Sequence, residues 1–429
     1  MNRTISFIFL ALATMLSANA HVDFDKYFCD STLRIDYIFE GAAKSDDCNV
    51  SVKALHKSPS WAGRKVNLDR LPVEGNGQIV MCDAMSGDTI YMTSFSSLFQ
   101  EWMVESDTVA RRAYENTFLV PMPQRNAYID IKLMNNRRQV MANTRHHINP
   151  SDILIKRHST TPLPHRYIHR GGSTTNCIDV AILAEGYTVE EMDSFYVHAQ
   201  HAVDAIMSHE PFGSNRDKFN FVAVASPSQH SGVSIPRLGE WKNTAFSSHF
   251  STFYADRYLT TSNVWDVHDA LTEIPYEHII ILANTQEYGG GGIYNSYTLT
   301  TAKHPTFNVV VVHEFGHSFG ALADEYFYES GVLTDSYPLN IEPWEQNITT
   351  RVDFEAKWQD MMGADVPVPT LSKDASRYPV GLYEGGGYVT KGVYRPADEC
   401  RMRNNVAPEF CPVCQRALQR MIDFHVVKR

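Results

Sequence analysis

The sequence predicts a mixed α/β domain, with helices packed on a mostly parallel sheet and a histidine-bearing helix among them, preceded by a smaller β-sandwich-like domain. Three observations predict it. Between Cys177 and Val312, apolar runs of strand length alternate with segments of helical periodicity, the order that builds parallel sheets. Between Cys29 and Met134, short runs alternate apolar and polar residues and are punctuated by turns, as half-buried strands do. The third is an H-E-x-x-H pattern, His313-Glu314-Phe315-Gly316-His317, behind the apolar run Val309 to Val312.

Taken in order, residues 1–20 have a basic start, an apolar stretch from Ile5 to Leu16 and a small-residue end, Ala18-Asn19-Ala20. That is the layout of a secretory signal cleaved after Ala20, and its apolar stretch is too short for a membrane span. The expected location is therefore secreted or periplasmic. Residues 21–141 form the expected N-terminal β-sandwich-like domain. Thr32 to Phe39 and Tyr128 to Met134 alternate, and Gly77 to Cys82 and Thr89 to Thr93 flank a Ser86-Gly87-Asp88 turn. Ser97 to Ala113 reads as a helical insertion closed by Pro121-Met-Pro123. In residues 142–172, histidines, arginines, prolines and threonines crowd together without regular spacing. A second metal site is one reading of them; an exposed linker is favoured.

Residues 173–429 form the expected catalytic domain. Cys177 to Ala184 reads as a buried strand, and Thr188 with Glu191 as a capping box opening a helix that ends before Pro211. Phe219 to Val224 is a second strand, a helix is expected after Thr244, and Tyr276 to Leu282 is a third strand. The glycine run in Tyr288 to Tyr297 lacks the Lys-Ser/Thr of a phosphate loop. It reads either as the edge of a cleft, where another backbone can approach closely, or as a mobile loop. Gln415 to Ile422 starts a closing helix.

A formal charge of −11 argues against nucleic acid as a partner, and no later run is long enough for a membrane span. Seven cysteines leave at least one thiol unpaired within the chain. Cys411-Pro-Val-Cys414 has the spacing of half a zinc knuckle, but with only Cys400 nearby a local disulfide or packed thiols is the favoured reading. Nothing in the sequence sets an oligomeric state.

On a helix, residues i and i+4 share a face, so His313 and His317 can hold one zinc ion, with Glu314 placed to take a proton from a water activated there. Zinc in such a site wants a third protein ligand and an open position. Asp324 is the candidate, with Glu325, Glu342 and Glu345 as competitors. On an unbroken helix, Asp324 would lie roughly 10 Å along the axis from His317. The helix must therefore stop near Gly320 and the chain turn back. Met402 is a candidate methionine beneath the metal, and Tyr388 or Tyr394 could hydrogen-bond an oxyanion or substrate.

The stretches HEFGHSFGALADEY, CIDVAILAEGYTVEE, FSSLFQEW and RPADECRMRNN…FCPVC together resemble the immunoglobulin A peptidase family of zinc metallopeptidases, across most of the chain beyond residue 20. The resemblance implies a zincin-type peptidase domain behind an N-terminal domain. It also implies one catalytic Zn2+ on His313, His317 and Asp324, Glu314 as general base and acid, Met402 in a methionine turn, and a protein or peptide substrate. An exported zinc-containing binding protein for a host protein or glycan, without proteolytic activity, is the alternative.

Overall fold

The computed structural model describes residues 22–45, 47–105, 110–157, 161–329 and 336–426; the expected signal segment and His158 lie outside them. The N-terminal half runs α1 (Phe24–Tyr27), β1 (Phe28–Ala42), β2 (Cys48–Ser58), β3 (Gly77–Asp83), β4 (Thr89–Phe95), α2 (Leu98–Glu105), β5 (Arg111–Pro123) and β6 (Ala127–Met134). After it come β7 (Val140–Ile148), β8 (Lys156–Arg157) and β9 (His165–Arg170). Strands β1 to β8 make two four-stranded sheets, in the orders β5-β1-β2-β8 and β4-β3-β6-β7. Alternate residues of both sheets fill one core, among them Leu33, Ile35, Tyr37 and Phe39 of β1 with Ile79, Met81, Ile129 and Ile131 of β3 and β6. The period-two pattern of the sequence puts them on one face of each strand.

Two expectations fail here. Pro121 and Pro123 do not close a helical stretch; they end β5, where Pro121 lies opposite Thr32. Strand β5 is at a sheet edge, where a missing N–H costs no ladder bond. The stretch 142–172 is not all linker: residues 142–148, 156–157 and 165–170 are strand. β7 pairs with β6 from Ala127 opposite Ile148, β8 lies beside β2, and β9 runs antiparallel to a strand of the second half. All three are edge strands, which tolerate the charge that made the sequence look unstructured. Its histidines are dispersed: His146 meets the Tyr37 hydroxyl at 2.6 Å and His169 the Arg216 carbonyl at 2.8 Å.

The second half runs β10 (Ile178–Glu185), α3 (Met192–Met207), β11 (Phe219–Val224), α4 (Val264–Asp269), β12 (His278–Ala283), β13 (Gly290–Ile293), β14 (Tyr297–Thr301) and α5 (Phe307–Ser318). A six-stranded sheet has the order β13-β14-β12-β10-β11-β9. Its four inner strands are parallel and its two outer strands antiparallel. Every residue of β10, β11, β12 and β14 is buried, which is why the first three read as mainly apolar runs; β14, Tyr297–Thr301, is rich in threonine and carries no such signal. The Thr188–Glu191 capping box is present and opens one 3₁₀ turn ahead of α3. Helices α3 and α5 pack together in a core that also holds the closing helix α6 (Pro412–His425). A hairpin of β15 (Tyr383–Gly386) and β16 (Val389–Arg395) precedes α6.

The helix expected after Thr244 is α4, which begins only at Val264; the chain between them holds no α-helix. The chain there is irregular because its polar groups turn onto one buried carboxylate. The Thr244 and Ser248 hydroxyls donate to Glu185 at 2.6 Å each, and the backbone N–H groups of Phe246 and Ser248 at 2.9 Å. Four donors on a buried carboxylate fix that loop better than a helix with no partner for Glu185 would.

Candidate metal centre

Helix α5 carries His313, Glu314 and His317 on one side and ends at Ser318. The break falls where distance requires it, but Ala321 rather than Gly320 takes the left-handed backbone, at φ +55. The Ala321 and Leu322 N–H groups close the end by donating to the His317 and Gly316 carbonyls at 3.0 and 3.2 Å. Gly320 is needed for space: a Cβ there would lie 2.4 Å from Leu418. Gly316 serves the same end at the metal side, where a Cβ would lie 2.7 Å from the Met402 sulfur. The buried Met402 thus packs against the helix at Gly316, and its carbonyl accepts the Glu325 N–H at 2.9 Å.

After the break the chain returns Asp324 to the histidines. Its Oδ1 lies 3.1 Å from His313 Nε2 and 3.3 Å from His317 Nε2, and the two Nε2 atoms are 3.1 Å apart. His313 Nδ1 faces the Arg401 carbonyl at 3.0 Å and His317 Nδ1 the Leu322 carbonyl at 2.6 Å. A carbonyl only accepts, so both Nδ1 atoms carry the proton and both Nε2 atoms present lone pairs. Two lone pairs and a carboxylate oxygen then face one point, and the buried Asp324 Oδ1 has no hydrogen-bond partner of its own. Ligands about 2.0 Å from a tetrahedral metal lie roughly 3.3 Å apart; these edges match. The residues fit a metal ion.

Electrostatics agree. A proton competes with a metal for the His317 Nε2 lone pair: burial opposes a charged His317, but Asp324 outweighs it and holds the His317 pKa up at about 9, so metal binding there releases a proton. Burial likewise opposes the Asp324 carboxylate, and His317 and His313 nevertheless hold its pKa well below the usual range. The cluster calls for a positive charge between its members. Burial pushes the Glu314 pKa up, against the pull of the two histidines. Among the described residues, no group donates a hydrogen bond to the Glu314 carboxylate.

Asp324 is held from several sides. The Tyr388 hydroxyl donates to its Oδ2 at 2.5 Å, the Gly387 N–H donates to its carbonyl at 2.9 Å, and Asn347 brackets Ala323 through both N–H and C=O. Tyr394 is not brought to the site; its ring faces Arg351. Glu342 and Glu345 lie against Lys357 and Tyr337 instead of the histidines, and Glu325 points the other way, toward Cys414.

The glycine strand β13 packs against α5, where a Cβ at Gly290 would lie 2.7 Å from Glu314 Oε1 and one at Gly292 2.3 Å from the Glu314 carbonyl. It is ordered strand, and its free edge is in part already used. The Leu259 N–H donates to the Gly290 carbonyl and the Gly290 N–H to the Arg257 carbonyl, both at 3.3 Å. Arg257 was not legible as a site residue. Its guanidinium donates to the Tyr326 and Tyr328 hydroxyls at 3.0 and 2.8 Å, at the exposed rim of the centre. The N-terminal half braces this rim. Tyr258 donates to Glu101 of α2, and Asn295 donates to the Thr93 hydroxyl and the Ser94 carbonyl at 3.1 and 2.9 Å. The Asn295 N–H meanwhile caps α5 at the Ser318 carbonyl.

The chain matches two known family models. The model described as IgA Peptidase M64 matches residues 167–378 and 371–422, and the model described as Peptidase M64 N-terminus matches residues 23–144. No curated protein matches the chain. The first family model spans more than half of the sequence and contains α5, Asp324 and Met402, so this chain, a mixed α/β protein with a convergent histidine–aspartate cluster, belongs to the IgA peptidase M64 family of metallopeptidases.

Proposed function

We propose that this protein is an exported zinc-dependent endopeptidase in which His313, His317 and Asp324 hold the ion and Glu314 is the general base. The observation that carries the reading is the convergence of two imidazole lone pairs and Asp324 Oδ1 on one point, with the Glu314 carboxylate beside them. Nitrogen, nitrogen and oxygen donors at these spacings suit Zn2+. Zinc, when bound, activates a water and polarises the scissile carbonyl.

The chain's own residues do the rest. The Arg401 and Leu322 carbonyls fix both histidine tautomers, and Tyr388 and Gly387 fix Asp324. Glu314 takes the proton of the attacking water and passes it to the leaving amine, a role that suits a carboxyl whose pKa burial has raised. The signal-like layout of residues 1–20 supports export. The family description names immunoglobulin A, but the substrate proposed here is only an accessible peptide segment.

Incubation with a library of unstructured peptides tests the proposal. Cleavage is expected, lost on chelation and restored by zinc, and absent from His317→Ala. A zinc-loaded protein that cleaves none of the library would sink it.

A further inference from the structure

Back to back with the histidine centre lies a second cluster that the proposed hydrolysis does not use. Glu325, Cys400, Cys411 and Cys414 each offer one ligand atom, all within 4.8 Å of one another and all buried. Cys414 Sγ lies 3.0 Å from Glu325 Oε1 and 3.7 Å from Cys400 Sγ. The Cys411 N–H donates to Cys400 Sγ at 3.3 Å, and Asn347 Nδ2 donates to Glu325 Oε1 at 2.9 Å. Glu325 Oε2 has no hydrogen-bond partner, although Glu325 is 0% exposed.

Two occupants compete for this cluster: a disulfide and a metal. Any one disulfide joins two sulfurs and leaves the third beside a buried carboxyl oxygen that nothing satisfies, an unfavourable arrangement. A metal uses all four donors. Sulfurs about 2.3 Å from a tetrahedral zinc are roughly 3.8 Å apart, close to the observed 3.7 Å. The sulfur–carboxylate edge, at 3.0 Å, is shorter than the roughly 3.5 Å of that geometry. Three thiolates and a carboxylate exceed the charge of a divalent ion, and the buried guanidiniums of Arg395 and Arg401, acting on Glu325 and Cys400, offset the excess.

We propose that Glu325, Cys400, Cys411 and Cys414 form a second, closed zinc site of structural purpose. The ion replaces the thiol protons, which leave to solvent. Its position gives it a task. Glu325 follows Asp324 directly, and Cys400 precedes both Arg401, whose carbonyl orients His313, and Met402, whose sulfur underlies Gly316. Cys411 and Cys414 open α6. One ion would bind the loop of the third ligand, the turn beneath the first centre and the closing helix together.

Metal content of the purified full chain tests this independently of activity. About two zinc equivalents per chain are expected, falling by one in Cys414→Ser, by one in His317→Ala, and by both in the double variant. If Cys414→Ser fails to fold, the cobalt-loaded wild type decides. Cobalt–thiolate charge-transfer absorption should be present and should survive His317→Ala. All seven cysteines should react with a thiol reagent once the unreduced protein is denatured with chelator. A single equivalent lost only in His317→Ala, or two thiols missing until reductant is added, would overturn the second site. A single equivalent lost only in Cys414→Ser would instead leave this site standing and overturn the histidine centre.

Discussion

Replacing Tyr388 by Phe removes one oxygen and with it the hydrogen bond to Asp324 Oδ2 at 2.5 Å. Little else should change. The ring keeps its stack on Tyr328 at 6.2 Å and its edge contact with Tyr326 at 5.4 Å, and the left-handed backbone at φ +71 is equally available to both residues. A hydrogen bond to a carboxylate contributes about 1.5–3 kcal/mol net, which is roughly 10- to 100-fold in an equilibrium constant. Partners that orient metal ligands have effects of the same size. Zinc affinity, read by titrating activity in metal buffers, should therefore weaken by that factor, while kcat at saturating zinc stays near wild type. Unchanged affinity with a collapsed kcat would refute the reasoning and would make Tyr388 a group that acts on the substrate.

Other perturbations have equally direct readouts. Gly316→Ala places a methyl 2.7 Å from the Met402 sulfur and 3.2 Å from Phe410; such overpacking costs about 1–3 kcal/mol, so Tm should fall in calorimetry. Gly290→Ala intrudes on the Glu314 carboxylate at 2.7 Å and should lower kcat well beyond any loss of stability, with zinc content unchanged. Asn295→Ala deletes both bonds to β4 and puts a Cβ-bearing apolar residue at φ +54, and chemical denaturation should show a loss of about 1–3 kcal/mol. Burial pushes the His278 pKa from 6.5 down to about 3. Between those values the unfolded chain binds the extra proton, so stability present above pH 6.5 is lost as pH falls through that window, by at most about 1.4 kcal/mol per pH unit. His278→Phe should flatten that part of the acid denaturation profile; an unchanged slope would count against a neutral buried His278.

How much of this was legible in the sequence depends on how local the information is. Strands of the parallel core were readable where both faces are buried and the run is almost wholly apolar, as in Val180 to Ala184. The return of Asp324 was readable from helix rise alone. By contrast, the loop after Thr244 is fixed by Glu185, 59 residues away from Thr244, and a window of sequence carries no sign of that. Edge strands β7 to β9 looked like linker because solvent faces one side of them and charge replaces apolar alternation. Arg257 joins the rim through tyrosines 69 and 71 residues onward. The fourth member of the cysteine cluster, Glu325, is 89 residues from Cys414, so C-x-x-C read alone as half a motif.

In the proposed hydrolysis, Glu314 acts as the base beside an ion it does not itself bind. Zinc content and peptide cleavage measured together on Glu314→Ala test that directly. Zinc is expected to remain at the wild-type ratio while cleavage falls to background. Cleavage at the wild-type rate, or loss of the metal along with activity, would contradict it.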